Sequence, residues 1–247
     1  METVRKPRVV CVTQARMTST RLPGKVLMTA AGRPLLAHHL ERLQRSQSID
    51  QVVLATTNGV SDDPVAALGG HLGVAVFRGD EFNVLQRYAQ AAAQFNAEIV
   101  IRVTADCPLI DPDLIDAMVG RFCSNEPPLD YLGLDMACYP RGLDAEIFPR
   151  AVLDEAAAHG TADDEREHVT RYIYRRPERF RLGVFEGTEP WGHYRWCVDE
   201  ASDLELIRRI LEALTPTNPY FTWKDCLNIL EQHPDWIKIN QAVRQKT

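Results

Sequence analysis

Two apolar rhythms alternate along the first half of this chain. Runs rich in branched apolar residues at 8–13, 51–56, 74–77 and 98–103 are separated by stretches at 34–46, 63–71 and 83–95 whose apolar positions recur with helical spacing. A strand covered on both faces is apolar almost without interruption, whereas a helix lying on a sheet needs only one apolar stripe. The pattern predicts consecutive β-α-β units, a mostly parallel sheet, and chemistry at the carboxyl ends of its strands. A further helix is predicted up to Phe122, with Asp111 as its cap ahead of Pro112. Residues 125–128 then break the rhythm. Beyond them the pattern predicts strands at 129–134, 143–148, 180–185 and 194–198, helices at 150–159 and 163–175, and a last helix from Ser202. Ser202 and Glu205 match a capping box, which leaves Asp199 in the loop before that helix. Without repeats or low-complexity tracts, residues 1–247 read as one domain, in which 129–192 is an insertion that either lids a site or builds a dimer.

Composition narrows the classes. With 45% hydrophobic and 25% charged residues the chain is an ordinary folded protein. Its 28 basic against 34 acidic residues give a net charge of -6, which argues against a nucleic-acid partner. No apolar run approaches the roughly eighteen residues of a membrane span. The apolar stretch behind Arg5, Lys6 and Arg8 is too short for a signal-peptide core, so a cytoplasmic location is expected. Six scattered cysteines without a C-x-x-C pair read as reduced thiols rather than a zinc knuckle or disulfide framework.

The segment 14–25 leaves the first strand as a polar loop. Arg16, Arg21 and Lys25 place three cations within ten residues, Ser19 and Thr20 add hydroxyls, and Gly24 lets the backbone come close to a ligand. Such a loop suits a phosphate; a solvated basic loop is the competing reading. It is not a Walker A loop, because Ser19 stands where that motif needs its first glycine. Asp106 follows a strand, where a carboxylate can hold Mg²⁺ against phosphates, and Asp199 follows another. The two can share a metal, or each can be a plain loop acid. In Arg141-Gly-Leu-Asp144-Ala-Glu146, Asp144 and Glu146 project to one side if the segment is extended. They suit a polyhydroxylated acceptor, with Arg141 for its carboxylate, or else a solvated strand face. Glu165-Arg-Glu-His168 contains no H-E-x-x-H, which excludes a zinc protease. His168 reads as a site residue or as a helix-face histidine. Trp191, Trp196, Trp223 and Trp236 read as core or interface aromatics.

At these residues the chain resembles the cytidylyltransferases that activate acidic sugars, the acylneuraminate and 3-deoxy-manno-octulosonate enzymes, and most of all their spore-coat polysaccharide branch. The resemblance rests on Ala15-Arg-Met-Thr-Ser-Thr-Arg-Leu-Pro-Gly-Lys25, Asp106-Cys-Pro-Leu, the 141–146 and 165–168 motifs, and Val198-Asp199-x-x-x-Asp203-Leu. It implies a three-layer α/β/α sandwich of the nucleotide-diphospho-sugar transferase type, with CTP over the first loop. It also implies Mg²⁺ on Asp106 and Asp199, and the triphosphate on Arg16, Arg21 and Lys25. Ser19 would donate to that triphosphate, and the Ala15 backbone would lie near the base. Arg141, Asp144, Glu146, Glu165 and His168 would meet the acceptor, and the enzyme would be a homodimer.

The expected reaction is attack of an acceptor hydroxyl on the α-phosphorus of CTP, giving a CMP-linked acid and pyrophosphate, with Arg16, Lys25, Asp106 and Asp199 as catalytic groups. Two rival readings stand beside it. One is a glycosyltransferase of the same fold, disfavoured because Asp106-Cys107-Pro108 lacks the second acid of an Asp-x-Asp. The other is a cytidylyltransferase acting on a non-sugar acid such as a phosphonate.

Overall fold

The computed structural model describes residues 5–244. Strand β1 (Val9–Gln14) is followed by a small antiparallel ribbon, β2 (Thr29–Ala30) with β3 (Arg33–Pro34), and by helix α1 (Leu35–Leu43). Then come β4 (Gln51–Thr57), α2 (Asp63–His71), β5 (Ala75–Gly79), α3 (Val84–Gln94), β6 (Ile99–Thr104) and α4 (Pro112–Ser124). The second half adds β7 (Tyr131–Leu134), β8 (Glu146–Pro149), α5 (Arg150–His159), α6 (Asp163–Glu167), α7 (Arg171–Tyr174), β9 (Leu182–Phe185), α8 (Ala201–Leu214) and α9 (Trp223–Gln232).

The main sheet runs β5-β4-β1-β6-β8-β7-β9. Its first four strands are parallel, β8 is antiparallel to both β6 and β7, and β9 returns parallel to β7. The pleat explains why the strands read as continuous apolar runs. Val9, Cys11, Leu54 and Ile101 face one core, with α1, α4, α8 and α9 over it. Val10, Val12, Val53 and Val100 face a second core, covered mainly by α3 and α5. Both faces are thus buried, the predicted three-layer arrangement. Strands β7, β8 and β9, from the 129–192 segment, extend this same sheet. No helix among the described residues is long and apolar enough to cross a membrane.

Three expected elements differ from the pattern. The helix expected at 163–175 breaks between α6 and α7, where Val169 sits fully buried at φ 48°. Burial of a branched residue in that conformation outweighs helix continuity and turns the chain at His168. The strand expected at 194–198 makes only a single bridge, between Arg195 and Arg141. The capping box lies two residues earlier than expected. Glu200 caps α8 and Asp203 reaches back, because the Asp203 carboxylate also accepts from the backbone N–H of Asp199, at 2.9 Å.

Gly142 governs the approach of the 141–146 segment to that last stretch. It has φ 108°, and a Cβ there would lie 2.6 Å from the Trp196 carbonyl carbon and 2.7 Å from the Cys197 nitrogen. Gly142→Ala is therefore expected to destabilise the protein by about 2 kcal/mol or more, read from urea unfolding. A loss within ~0.5 kcal/mol, the range of neutral surface changes, would mean the close approach is not required.

Candidate active site

The loop after β1 is shaped by backbone contacts of its own. The Ala15 N–H donates to the Ala55 carbonyl at 3.3 Å, and the Met17 N–H donates to the Asp62 carboxylate at 2.7 Å. Asp62 is fully buried and also accepts from the Thr57 hydroxyl at 2.5 Å, so it ties the loop to the end of β4. Gly24, at φ 71°, closes the loop by donating to the Met17 carbonyl at 2.9 Å. The next residue, Lys25, opens a short 3₁₀ turn and points inward.

Its ammonium meets both candidate acids. Lys25 Nζ lies 2.7 Å from Asp106 Oδ2 and 2.9 Å from Asp199 Oδ1. Arg21 reaches the same Asp199 oxygen at 2.8 Å, and Arg195 holds its other oxygen at 2.6 Å. The loops carrying the two acids are joined directly, since the Val198 N–H donates to the Asp106 carbonyl at 2.8 Å. His39 of α1 braces the Asp106 loop from beneath. Its Nδ1 faces the Cys107 carbonyl and its Nε2 the Thr13 hydroxyl, both at 2.8 Å. Burial pushes this imidazole down to about 4, so it is neutral. A carbonyl can only accept, so Nδ1 carries the proton and Nε2 accepts from Thr13.

The electrostatics are dominated by this cluster. Burial alone would raise the Asp106 carboxyl, but the Lys25 ammonium and hydrogen bonds from Lys25, Thr104 and Cys107 outweigh it and hold the group at about 2. Asp199 is likewise held below its usual range, burial being outweighed chiefly by Lys25. Burial works to lower Lys25, and the two carboxylates together leave it raised. Asp106 and Asp199 thus stay ionised around a cation.

A cavity of about 290 Å³ opens above them. The expected nucleotide residues Ala15, Arg16, Ser19, Arg21 and Lys25 line it together with Asp106 and Asp199, and His168 lies on its wall. Arg16 reaches toward Glu81, 3.6 Å away, at the rim. Burial and the nearby Arg171 lower the His168 imidazole, which is neutral near pH 7. The other expected acceptor residues are not among those lining the cavity. Glu165 is buried and paired with Arg176 at 2.8 Å. Asp144 accepts from the Gly142 N–H at 2.6 Å and faces Arg141 at 3.6 Å, so it fastens its own turn; burial raises its carboxyl. Glu146 faces inward on β8, paired with Arg102 and accepting from the Tyr131 hydroxyl at 2.6 Å and the Thr170 hydroxyl at 2.8 Å.

That network exposes residues the sequence reading missed. Arg102 and Arg87 both line the cavity. Glu146 keeps the Arg102 guanidinium charged despite burial. The wall also carries four buried polar atoms without a hydrogen-bond partner: Gln14 Oε1, Arg21 Nη1, Arg87 Nε and Arg102 Nε. Buried polar groups are almost always paired, so such a concentration is unusual for a protein interior. A signal for Arg102 was present in the sequence: it is a charge inside the apolar run Ile99-Val-Ile-Arg-Val103. A strand buried on both faces accepts such a residue only against a partner or a ligand.

The donor set also fits a divalent ion. Two carboxylates converge where a lysine ammonium now supplies the positive charge. No group of three or more His, Cys, Asp or Glu side chains arranged for a metal occurs among the described residues. Two carboxylates completed by phosphate oxygens and water are the usual provision for Mg²⁺.

Comparisons with known proteins place this sequence and fold among relatives. The family model described as cytidylyltransferase matches residues 10–232. A Methanocaldococcus jannaschii protein of no described function, MJ1063, is 32% identical over 242 residues, 97% of each chain. The Bacillus subtilis spore coat polysaccharide biosynthesis protein SpsF is 30% identical, covering 92% of this chain and 95% of that protein. A 3-deoxy-manno-octulosonate cytidylyltransferase of Anaeromyxobacter dehalogenans is 33% identical, covering 83% and 98%. Among solved structures, a cytidylyltransferase from Leptospira borgpetersenii superposes with a TM-score of 0.90 at 31% identity, over 98% of this chain and all of that one. Two more distant structures share the fold. CMP:2-keto-3-deoxy-manno-octonic acid synthetase, complexed with CTP, has a TM-score of 0.64 at 19% identity, over 83% and 99% of the two chains. A Mycobacterium tuberculosis protein in complex with manganese has 0.55 at 19%, over 84% and 100%.

Proposed function

The chain belongs to the cytidylyltransferase family, and from that premise we propose that it transfers CMP from CTP to the hydroxyl of an acidic acceptor, a sugar acid, with release of pyrophosphate. The observation that carries the reading is the meeting of Lys25, Asp106 and Asp199 within hydrogen-bonding distance under an arginine-bearing loop. Arg16, Arg21 and Lys25 take the triphosphate, with Ser19 donating to it and the Ala15 backbone beside the base. The acceptor oxygen forms a bond to the α-phosphorus as the bond to the β-phosphate oxygen breaks, and the hydroxyl proton is released. No protein nucleophile takes part. The loop cations neutralise the charge that builds on the departing pyrophosphate, and positioning supplies much of the rest. Asp106 and Asp199 would hold Mg²⁺, which when bound contributes positive charge to the phosphates. A manganese complex of a protein sharing the fold is in keeping with a divalent ion there.

The acceptor end lies at Arg102 and His168 rather than at Arg141. Arg102 is held from behind by Glu146 and has a buried, unpaired Nε at the cavity wall, which suits a carboxylate. Arg102→Met is expected to raise the KM for the acceptor about ten- to a hundredfold, the worth of a charged hydrogen bond. The KM for CTP should stay near its wild-type value. Steady-state pyrophosphate release reads both, and a rise confined to the KM for CTP would move Arg102 to the nucleotide.

The same reading takes the enzyme to be a cytoplasmic homodimer in which residues 129–192 serve as a lid or pairing element. The exposed Val184 on edge strand β9 is in keeping with pairing. The deciding experiment for the reaction is pyrophosphate release with Mg²⁺, each nucleoside triphosphate in turn, and a panel of sugar acids and phosphonates. Release with CTP alone supports the reading. Transfer from a nucleotide-sugar without pyrophosphate would replace it with a glycosyltransferase, and turnover of phosphonates alone would replace the sugar acid.

A further inference from the structure

A second cavity, of about 300 Å³, lies between α1 and the segment joining α8 to α9, and no residue lines both it and the first. It is built from guanidinium groups. Arg33, Arg42 and Arg45 all line it, while Glu41 is its one acidic lining residue and is already engaged by both terminal nitrogens of Arg33. Arg42 is buried at 4% exposure, and its nearest carboxylate, Asp111, is 3.9 Å away. It donates instead to the carbonyls of Ile110 at 2.6 Å and Phe221 at 3.0 Å. Carbonyls satisfy its hydrogens, Asp111 and the Phe221 ring, 4.3 Å from the guanidinium, offset part of its charge, and burial pushes the group down to about 10.

Two further polar atoms of the lining residues have no hydrogen-bond partner among the described residues. Arg45 Nε and Thr215 Oγ1 are both buried and unpaired, although Arg45 Nη1 donates to the Pro219 carbonyl at 3.0 Å. At the mouth the Tyr220 ring is 73% exposed, with the Arg45 guanidinium 5.4 Å from its centroid. A guanidinium N–H and a hydroxyl without partners among the described residues, set beside two further guanidinium groups, are the donors that a tetrahedral oxyanion accepts from. An aromatic face beside them suits the body of the molecule carrying it.

We propose that this cavity is a second ligand site, which binds the phosphoryl group of a small phosphate ester through Arg45 and Thr215 while the body of the ester lies against Tyr220. The site is independent of the reaction assigned to the first cavity, and its test needs neither CTP nor an acceptor.

Thermal unfolding of the full chain is followed during titration with inorganic phosphate and with phenyl phosphate. The variants are Arg45→Gln, Thr215→Val and, as a control in the first cavity, Arg21→Gln. Arg42 is left in place because it fastens two loops. A saturable rise in midpoint is expected in the wild type and in Arg21→Gln, weakened about tenfold or more in apparent Kd by Arg45→Gln or Thr215→Val. Phenyl phosphate should bind more tightly than phosphate. In crystals grown with tungstate, the ion should lie within hydrogen-bonding distance of Arg45 Nε and Thr215 Oγ1. A rise kept by Arg45→Gln but lost by Arg21→Gln would overturn the proposal, as would tungstate in the first cavity alone. Equal affinity for the two phosphates would overturn the placement of the ester body on Tyr220.

Discussion

Asp106→Asn is expected to lower kcat about a hundred- to a thousandfold while the protein stays folded. The substitution keeps the shape of the side chain and removes its charge. Among the described residues Asp106 has one ion-pair partner, Lys25, whereas Asp199 is held by Lys25, Arg21 and Arg195. The neutral amide therefore leaves Asp199 and its three cations in place and removes one of the two carboxylates that would hold Mg²⁺. The expected loss, about 3–4 kcal/mol of transition-state stabilisation, is that of a single preorganised group facing developing charge. Pyrophosphate release under saturating CTP measures it, with the unfolding midpoint as the check on folding. Near-normal turnover in folded Asp106→Asn would take Asp106 out of the metal role.

The second large effect concerns stability as well as rate. Lys25→Met removes the charge between Asp106 and Asp199 and leaves the partly buried Asp106 without its counter-ion, a change that costs about 2 kcal/mol or more at neutral pH. The sign of the pH dependence follows from the carboxyl. Asp106 is held at about 2, below its ordinary 3.8, so its contribution is present above about pH 4 and is lost as pH falls toward 2. That contribution is about 2 kcal/mol. In Lys25→Met the acid slope of stability should flatten, because only the hydrogen bonds from Thr104 and Cys107 then favour the carboxylate, and burial opposes them. The double variant Lys25→Met/Asp106→Asn separates the two roles of the lysine. It should recover much of the lost stability, since no unpaired charge remains at position 106, and none of the lost activity. If the double variant unfolds as easily as Lys25→Met, the pair is not what the lysine stabilises.

The parts of the site that lie close together along the chain are legible in the sequence itself. The cluster Arg16, Ser19, Arg21 and Lys25 is contiguous, and Asp106 follows β6, so strand-end placement brings it to one end of the sheet; Asp199 follows no sheet strand and is brought there by the bridge between Arg195 and Arg141 and by the Val198 N–H on the Asp106 carbonyl. The 141–146 motif is less legible. Glu146 reads as an acceptor-binding acid or as part of a solvated strand face, but β8 pairs antiparallel with β6, which sets Glu146 opposite Arg102 and pairs the two. Glu165 and His168 share a short motif, yet the break at Val169 sends one to Arg176 and the other to the cavity. No helical or strand period carries that information, because the turn is decided by what buries Val169.

By itself the sequence determined the layered parallel core, through apolar runs that only a sheet covered on both faces can bury, and the cationic character of its first loop, through three cations packed into ten residues. Tertiary structure alone decided which charges meet. Lys25 reaches Asp106 and Asp199, Arg102 reaches Glu146, and Arg42 and Arg45 meet the segment after α8, across separations of 44 to 179 positions in the chain. Coulomb interactions depend on separation in space and are blind to distance along the chain, so only the folded arrangement settles which of these groups are paired.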